Sequence, residues 1–545
     1  MSSMFDIARG VLAARIVLAL LLCLGLTGQP AAWAAGSRPH LVSTAWLQQN
    51  LSRPEVLLID ASPGPVHLKA HIPGAVHADL MNFGVLEQAP AAMEERMRSW
   101  GLTRGRKVVL YDGDGMMWAA RMFFELVHLG YPAEDVALLD GGLAKWVATG
   151  GAVTQTPTPK PAPGTFSVGP IRDELLARLP EFVTATGQPQ RTVVVDALTP
   201  DYHFGARKYF DRGGHVPNAV LLPRTDFFNE DQTFKSPAQL RQMLDHLGIG
   251  AERPVISYCG GGVAAAVPFF AMKFMLGHKD VKLYRGSQLE WLRDDRTLPM
   301  WSYSAPHLVR EIDWLKNWGQ GFLRQMGIAR VQVVDVRSAE LYAQGHLAGS
   351  HHISIGALRA AANDSVALAR LLAPLQAGKV VGHETVVVST AGGVNPESAL
   401  ALLVLEAALG TPVSILGGSI DEWALRGLPL TKSQEVRAAP GAAVMAPGMR
   451  PALRPAAASA AVTIASGMAA PPDLAGGRVV HLHYRTLLAP DGQPRPASEM
   501  WAEIEKAGVP RYTPLVLTAE DIGEAAVNYV LLKMMGFTAL TVHSP

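Results

Sequence analysis

The fold is decided by a strand, a turn and a helix that follow one another at residues 254–277, PVISYCGGGVAAAVPFFAMKFMLG. The apolar run that ends at Tyr258 predicts a buried β-strand, and the small-residue apolar segment after the glycines predicts a helix. Alternation of short strands with helix-length segments indicates an α/β architecture built on parallel strands flanked by helices. In such sheets ligands bind outside the carboxyl ends of the strands. The turn that begins at Cys259 is therefore the first candidate for a functional site.

The same pattern recurs along the chain and predicts three copies of one domain. In each copy an apolar strand ends in aspartate, a histidine motif follows, and a turn and a tryptophan motif come later at similar distances. The histidine motifs are AHIPGA at 70–75, GHVPNA at 214–219 and GHLAGS at 345–350. The recurring residues are Asp60, His71, Asp112 and Trp146, then Asp196, His215, Cys259 and Trp291, then Asp335, His346, Thr390 and Trp423.

The recurring histidines, tryptophans and strand-ending aspartates are expected to be structural. They are present in the copies that have no cysteine, so hydrogen bonding within each domain fits them better than acid–base catalysis. The aspartates are expected to anchor the loop after their strand. Arg285 and Glu290 lie in the loop before Trp291 and are not predicted as site residues.

A fourth, partial copy follows the three complete ones. It repeats the strand, turn and helix with Thr518 at the turn, but the preceding strand and histidine motif are not recognised. The segment before it is rich in Ala and Pro and predicts a flexible linker. The predicted divisions are domain 1 at 37–153, domain 2 at 161–304, domain 3 at 305–432, the linker at 433–472 and partial domain 4 at 473–545.

The N-terminus has the organisation of a secretory signal peptide. Arg9 and Arg15 supply a basic region, an apolar run follows, and the small residues of the AWA sequence predict cleavage after residue 34. We therefore expect residues 1–34 to direct export, into the periplasm of a bacterium; an uncleaved membrane anchor is the alternative. Cleavage removes Cys23 and leaves Cys259 as the single cysteine of a protein with no stable membrane insertion.

The composition is that of a soluble globular protein, since 49% of the 545 residues are hydrophobic and 17% are charged. The formal net charge is +1, which gives no general affinity for nucleic acid. Two cysteines are too few for a cysteine-based zinc site, and no phosphate-loop or dinucleotide fingerprint is present. We expect no metal, no cofactor and no nucleic-acid partner.

Cys259 lies where the backbone can form an anion-binding turn. Gly260, Gly261 and Gly262 allow the backbone to curl and to turn successive N–H groups inward. A helix that begins near Ala264 adds the positive end of its dipole. Such a cradle lowers the pKa of a thiol and stabilises a further anionic sulfur attached to it. The alternative is a buried, inert cysteine beside a glycine turn.

Taken together, the recurring motifs resemble those of the rhodanese family of sulfurtransferases, including thiosulfate and 3-mercaptopyruvate sulfurtransferases. The resemblance covers nearly all of residues 40–432, with a weaker tail from residue 473. Tandem members typically join a non-catalytic domain, which has Asp at the cysteine position, to a catalytic one. The resemblance therefore implies tandem rhodanese-like domains in which Cys259 is catalytic. The positions implied to be inactive are Asp112, Thr390 and Thr518.

The family mechanism implies that Cys259 takes a sulfane sulfur from a donor, holds it as a persulfide and passes it to an acceptor such as cyanide or a thiol. The expected partners are a small sulfur-containing anion and a thiophilic acceptor, with a protein thiol as a further candidate acceptor. An alternative function is a non-catalytic, exported persulfide carrier or sulfur-relay scaffold. The residues implied to surround the outer sulfur are Gly260, Gly261, Gly262, Val263 and Ala264.

The uncharged loop does not identify which sulfur donor the protein uses. Thiosulfate-preferring members usually have cationic residues in this loop, whereas this one is closer to the loop of 3-mercaptopyruvate sulfurtransferases. Arg207, Lys208 and Arg212, which precede His215, are candidates for binding a sulfonate or carboxylate group of the donor. The alternative for these three cations is an ordinary solvated basic loop.

Overall fold

The computed structural model describes residues 39–80, 89–293, 297–319, 331–376, 384–433, 461–467, 474 and 476–543. The predicted signal peptide lies outside these residues. The chain forms two compact units. The first comprises the described residues up to Arg172 together with Asn229–Phe234, and the second comprises Asp173–Phe228 and the described residues from Lys235 onward.

The first sheet, in the first unit, has five parallel strands. They are β1 (Leu41–Val42), β2 (Val56–Asp60), β3 (Val76–His77), β4 (Lys107–Tyr111) and β5 (Val136–Leu139), in the order β1-β5-β4-β2-β3. The helices are α1 (Thr44–Asn50), α2 (Gly64–His67), α3 (Pro90–Ser99), α4 (Met117–His128) and α5 (Gly142–Ala148). This sheet and its helices are called the first domain.

The second sheet, in the second unit, repeats this topology. Its parallel strands are β6 (Leu176–Ala177), β7 (Val193–Asp196), β8 (Val220–Leu221), β9 (Val255–Tyr258) and β10 (Val281–Tyr284), in the order β6-β10-β9-β7-β8. The helices are α6 (Leu179–Thr186), α7 (Pro200–His203), α8 (Pro237–His246), α9 (Ala266–Phe270), which continues as a π-helical turn over Ala271–Met275, and α10 (Ser287–Trp291). These elements form the second domain.

The third domain, also in the second unit, has the same strand order again. Its parallel strands are β11 (Val309–Arg310), β12 (Val331–Asp335), β13 (His351–His352), β14 (Glu384–Val388) and β15 (Val413–Leu416), in the order β11-β15-β14-β12-β13. The helices are α11 (Ile312–Gly319), α12 (Ala339–Gln344), α13 (Ile355–Ala361), α14 (Ser365–Gln376), α15 (Pro396–Leu409) and α16 (Ile420–Leu425).

The fourth domain is more complete than the sequence suggested. Its parallel strands are β16 (Val462–Ser466), β17 (Val479–His481), β18 (Leu515–Ala519) and β19 (Leu540–Val542), in the order β17-β16-β18-β19, with helices α17 (Ala497–Ala507) and α18 (Ile522–Met534). β16 lies within the predicted linker and pairs with both β17 and β18. The prediction of a linker up to residue 472 is therefore wrong, because a central strand of the fourth sheet begins at Val462.

The central strands are rich in Val, Ile and Leu and are mostly buried, as parallel strands covered on both faces are, whereas short edge strands such as β3 and β13 are half-buried. The recurring histidines each form an isolated antiparallel bridge that ties a later segment to the domain, and the recurring tryptophans each donate their indole N–H to a backbone carbonyl. Nδ1 of each of these histidines also lies 2.7–3.1 Å from a backbone carbonyl oxygen of its own domain, which agrees with the predicted structural role. The pairs are His71–Thr154, His215–Trp301 and His346–Thr431 for the bridges, and Trp146–Ala152, Trp291–Pro299 and Trp423–Pro429 for the hydrogen bonds.

None of the helices in the described part of the chain combines the length and apolar character that a membrane span requires.

Candidate active site

Cys259 lies directly after β9, at the carboxyl end of the central part of the second sheet. Its side chain is only 2% exposed. The backbone N–H of Gly262 points at the sulfur, with 3.1 Å between nitrogen and Sγ. The N–H of Cys259 itself donates to the hydroxyl of Ser287 at 3.0 Å. The thiol is thus held at the inner side of a tight loop with an N–H donor aimed at it.

Two glycines of this loop lie so close to a neighbouring residue that an added Cβ would force a shift. A Cβ at Gly262 would lie 2.3 Å from the carbonyl oxygen of Arg285, and the φ of +77° is one that other residues rarely adopt. A Cβ at Gly260 would lie 2.9 Å from the ring of Tyr209. The helix begins at Ala266, two residues later than the sequence indicated.

The remaining predicted loop residues line the same turn. Gly261, Val263 and Ala264 are half-buried, and the loop closes onto α9 when the N–H of Ala266 donates to the carbonyl of Val263 at 3.0 Å. The side chain of Ser257 fixes the far end of the loop by donating to the carbonyl of Ala265 at 2.9 Å. The loop is therefore braced from the strand below it.

Asp112 occupies the equivalent position of the first domain, as the sequence predicts. Its carboxylate accepts four backbone hydrogen bonds at 2.8–2.9 Å. Burial raises the pKa of this carboxyl, and the N–H donors oppose that shift. The turn after β4 is thus an anion-binding nest that the chain fills with its own side chain. The donors are the N–H groups of Asp114, Met116, Trp118 and Ala119.

The sheet register corrects the predicted counterpart in the third domain. In the second domain Asp196 pairs with Tyr258, the residue before Cys259. In the third domain Asp335 pairs with Val388, so Ser389 stands at the cysteine position and the prediction of Thr390 is wrong by one residue. Positive φ angles agree, since Gly115, Gly262 and Gly392 each lie three residues after Asp112, Cys259 and Ser389.

The counterpart in the fourth domain is also corrected. Ser466, the last residue of β16, pairs with Ala519, so the cysteine position is Glu520. Thr518, which was predicted at the turn, lies inside β18 and is buried. Among the described residues, Cys259 is the free cysteine.

An aspartate–histidine pair lies beneath the loop after β7. Asp196 accepts the N–H of Leu198 at 3.0 Å, which confirms the predicted anchoring role, and its other oxygen lies 2.8 Å from Nδ1 of His203. The ring of His215 stacks on that of His203 with 3.7 Å between centroids. Burial raises the pKa of Asp196 to about 6 and lowers the pKa of His215 to about 3. Burial also holds the pKa of His203 well below its usual value.

The predicted cationic segment lies beside the loop, although its charges are engaged. Arg207 forms an exposed ion pair with Asp201 at 3.3 Å. Lys208 donates to the carbonyl of Asp211 at 3.2 Å, and Arg212 donates to the carbonyl of Leu298 at 2.7 Å. The contact that this segment makes with the cysteine loop is aromatic rather than cationic. The ring responsible is that of Tyr209 against Gly260.

Three residues near Cys259 were not predicted from the sequence, namely Tyr202, Tyr209 and Ser287. The ring of Tyr209, 53% exposed, stacks on Tyr202 with 4.2 Å between centroids, and the guanidinium of Arg207 lies 4.7 Å from the Tyr202 ring centre. Ser287 takes a φ of +48° and accepts the Cys259 N–H. The repeats contain a signal for Ser287, because Gly142 holds the same place before Trp146 and also has positive φ. Tyr202 and Tyr209 have no counterpart in the other motifs.

Cys259 directly follows a strand of a repeated parallel sheet and lies in a loop whose N–H groups are suited to bind an anion. This combination is typical of α/β proteins that hold an anionic group at a thiol. The family model for the rhodanese-like domain matches residues 43–149, 181–294 and 320–426, which together are more than half of the chain. The chain therefore belongs to the rhodanese family.

Several curated relatives are similar to this chain. A probable 3-mercaptopyruvate sulfurtransferase of Pseudomonas aeruginosa is 33% identical over 282 residues, which are 48% of this chain and 97% of the relative. The sulfur carrier protein TtuD of Thermus thermophilus is 31% identical over 271 residues, 46% of this chain and 93% of the relative. A thiosulfate sulfurtransferase of Bos taurus is 29% identical over 276 residues, 46% and 91% respectively. The family and these relatives support sulfur transfer as the general activity of this chain.

Among solved structures, the 3-mercaptopyruvate sulfotransferase of Escherichia coli matches with a TM-score of 0.42 and 26% identity, over 46% of this chain and 98% of that chain.

Proposed function

We propose that this chain moves a sulfane sulfur from a small donor, such as thiosulfate or 3-mercaptopyruvate, to a thiophilic acceptor, such as cyanide or a thiol, through a persulfide on Cys259. The observation that carries the proposal is the loop geometry: the Gly262 N–H lies 3.1 Å from Sγ. The equivalent loop of the first domain holds a carboxylate with four N–H groups. A frame that binds one anion in this way is suited to bind another.

In the first step the Cys259 thiolate attacks the outer sulfur of the donor. With thiosulfate, a sulfur–sulfur bond forms at Sγ, the donor sulfur–sulfur bond breaks with its electron pair, and sulfite leaves. With 3-mercaptopyruvate, the carbon–sulfur bond breaks, and the carbon takes the proton that the donor thiol releases, so pyruvate leaves. Either route leaves an anionic persulfide on Cys259.

In the second step the acceptor attacks the outer sulfur. Cyanide forms a carbon–sulfur bond, the persulfide bond breaks, thiocyanate leaves and the Cys259 thiolate is restored. Backbone N–H groups of the loop from Gly260 to Ala264 stabilise the negative charge on the outer sulfur without reorganising, because the strand and α9 fix their directions.

We further propose that the second domain alone carries this chemistry. The residues at the cysteine position of the other domains are a carboxylate at Asp112, a hydroxyl at Ser389 and a carboxylate at Glu520. Neither group forms a stable bond to a sulfane sulfur. The first, third and fourth domains are then inactive copies with structural roles.

The donor is expected to enter past the segment that contains Arg207, Lys208 and Arg212. Arg207 is paired with Asp201, so its charge is partly compensated, while Lys208 is exposed and donates to the backbone carbonyl of Asp211. These cations attract an anionic donor toward the Cys259 loop, and the uncharged loop receives only the transferred sulfur. Exposed charges of this kind contribute modestly to binding.

The test is thiocyanate formation by the full chain with thiosulfate or 3-mercaptopyruvate as donor and cyanide as acceptor. Cys259→Ser is expected to lower kcat/KM by at least about a thousandfold, since the covalent intermediate is lost. A Thr390→Ser variant is the control and keeps the wild-type rate, because Thr390 is exposed in the third domain. Thiocyanate formed by Cys259→Ser at the wild-type rate would refute the proposal. A long-lived persulfide with negligible turnover would identify a carrier instead.

We also propose that residues 1–34 direct export and are removed. N-terminal sequencing of the protein from a periplasmic fraction is expected to begin at Ala35. Full-length protein retained in the cytoplasmic fraction would contradict this proposal.

A further inference from the structure

The fourth domain packs against the second domain through an aromatic contact. The ring of Trp501, in α17, stacks on the ring of Phe204 with 5.3 Å between centroids and 23° between the planes. Both side chains are buried, and Phe204 belongs to the same hydrophobic core as the residues of the third and fourth domains. Phe204 immediately follows α7, so this contact holds the end of that helix.

Polar contacts place the fourth domain against the same region. Arg511 forms an ion pair with Asp226 at 2.7 Å and donates a second hydrogen bond to the carbonyl of Leu221 at 2.6 Å. The hydroxyl of Tyr512 also donates to the carboxylate of Asp226. The ion pair is largely shielded from solvent, which makes charge-assisted hydrogen bonds of this kind stronger than exposed ones.

The residues that the fourth domain contacts surround the loop after β7. Leu221 lies in β8 and pairs with Asp196, the last residue of β7. The turn that bears Asp226 is tied to the same loop, because Arg224 donates its N–H to the carbonyl of Ala197 at 3.0 Å. The four-residue α7 leaves that loop and is too short to be stable on its own. Its position therefore depends on what packs against it.

The helix α7 connects these contacts to the cysteine loop. Tyr202, inside α7, stacks on Tyr209 with 4.2 Å between centroids and 8° between the planes. The ring of Tyr209 in turn lies against Gly260, the residue after Cys259. A shift of α7 would move this pair of rings away from Gly260 and uncover the loop that holds the buried sulfur.

We infer that the fourth domain, whose sequence has no cysteine, is a positioning module that holds α7 and the Tyr202–Tyr209 pair against the Cys259 loop. Trp501 and Arg511 are its positioning residues. They touch neither donor nor acceptor and act through Phe204, Leu221 and Asp226. The inference rests on the proposed function for its kinetic consequence, since Tyr209 is expected to border the path of the donor.

The test compares kinetic constants and chemical accessibility in full-length variants. Trp501→Ala is expected to raise the KM for thiosulfate roughly tenfold with kcat changed by less than about twofold, because the binding geometry loosens while the loop that stabilises the persulfide stays intact. The same variant is expected to speed the alkylation of Cys259 by iodoacetamide. Trp501→Phe, which keeps an aromatic ring on Phe204, restores both values.

A matched control lies on the other face of the fourth domain. Lys533 pairs with Glu406 of the third domain, and Tyr529 donates to the same carboxylate at 2.9 Å. Lys533→Met removes that ion pair without touching the second domain. It is expected to leave KM and the alkylation rate unchanged, even if it lowers the melting temperature.

The inference is overturned if Trp501→Ala lowers the melting temperature but leaves both KM and the alkylation rate at wild-type values. Should Trp501→Ala not fold, Arg511→Gln provides the same comparison, with the same directions expected. The alkylation measurement needs no turnover. Failure of the wild-type protein to use any donor would refute the proposed function, while the alkylation rates would still decide whether the fourth domain positions α7.

Discussion

The loops after β4 and β9 share one frame and differ in what fills it. In the first domain the loop closes on the carboxylate of Asp112, which takes four backbone N–H groups. In the second domain Cys259 takes that position, and the Gly262 N–H is aimed at its sulfur. The difference teaches that the frame is an anion-binding nest, which Asp112 fills with its own carboxylate. Under the proposed function, Cys259 leaves the same nest available for an anionic sulfur.

Among changes that keep Cys259, the largest expected effect comes from damage to the nest in the second domain. Gly262→Ala places a methyl group against the carbonyl of Arg285 and forces a positive φ, at a cost of about 1–3 kcal/mol that the loop can avoid only by moving. The displaced N–H groups are expected to lower kcat by roughly a hundredfold, as loss of an oxyanion donor does.

Gly248→Ala is the matched control for this variant. Gly248 has a similar φ of +69°, but nothing lies within 4 Å of an added Cβ. Thiocyanate formation by the two variants separates backbone strain from damage to the nest. Equal losses of activity would show that the geometry at Gly262 has no special role.

A smaller effect is expected in the first domain. Asp112→Asn keeps the shape of the side chain but replaces one acceptor oxygen by a donor that faces N–H groups. Loss of charge-assisted hydrogen bonds is expected to lower the free energy of unfolding by about 1–3 kcal/mol. Urea denaturation of the full chain measures it. Asp114→Asn is the control, because the Asp114 side chain accepts none of the four hydrogen bonds that the Asp112 carboxylate accepts. Equal stability of the two variants would contradict the description of this turn as an anion-binding nest.

The smallest effect concerns the aspartate–histidine pair that lies beneath each loop. The pairs are Asp60–His67 in the first domain and Asp196–His203 in the second. In the folded state the pKa of His215 falls to about 3, and the pKa of His203 also falls. Below pH 6.5 the unfolded state therefore binds more protons than the folded state, and the free energy of unfolding decreases as the pH falls. The raised pKa of Asp196, about 6, opposes this between pH 6 and 4.

The lowered pKa values of His203 and His215, joined by that of His67, outweigh the raised values of Asp196 and Asp112, so the melting temperature is expected to fall modestly from pH 7 to pH 4.5. His215→Gln is expected to flatten that profile, because it removes one of the groups that titrate differently on unfolding. His481→Gln, at an exposed position of β17, is the control and keeps the wild-type slope. A steeper acid dependence in His215→Gln would contradict the pKa shift assigned to burial.

The sequence predicted the repeated α/β architecture and the position of Cys259, because apolar strands and glycine turns are local patterns. It missed β16, since Val462–Ser466 follows an Ala- and Pro-rich stretch and ends in Ser where the other copies have Asp. The sequence comparison also assigned the cysteine position to Thr390 and Thr518, because it matched the turns by the similarity of their residues. Only the pairing of strands fixes Ser389 and Glu520 at the cysteine position.

The surroundings of the cysteine were harder to predict for a physical reason. Tyr209 reaches the loop through the tertiary position of α7, and that position depends on Trp501, almost 300 residues further along the chain. Cationic residues drew attention to the correct segment, yet the contact with Gly260 is made by the aromatic ring between them. Long-range packing of this kind leaves no periodic signal in a single sequence.

The most direct test of the central claim is the intact mass of the protein after treatment with thiosulfate and removal of excess donor. The account predicts a gain of the mass of one sulfur atom, reversed by cyanide and absent in Cys259→Ser. A gain that persists in Cys259→Ser, or no gain with either thiosulfate or 3-mercaptopyruvate, would contradict it.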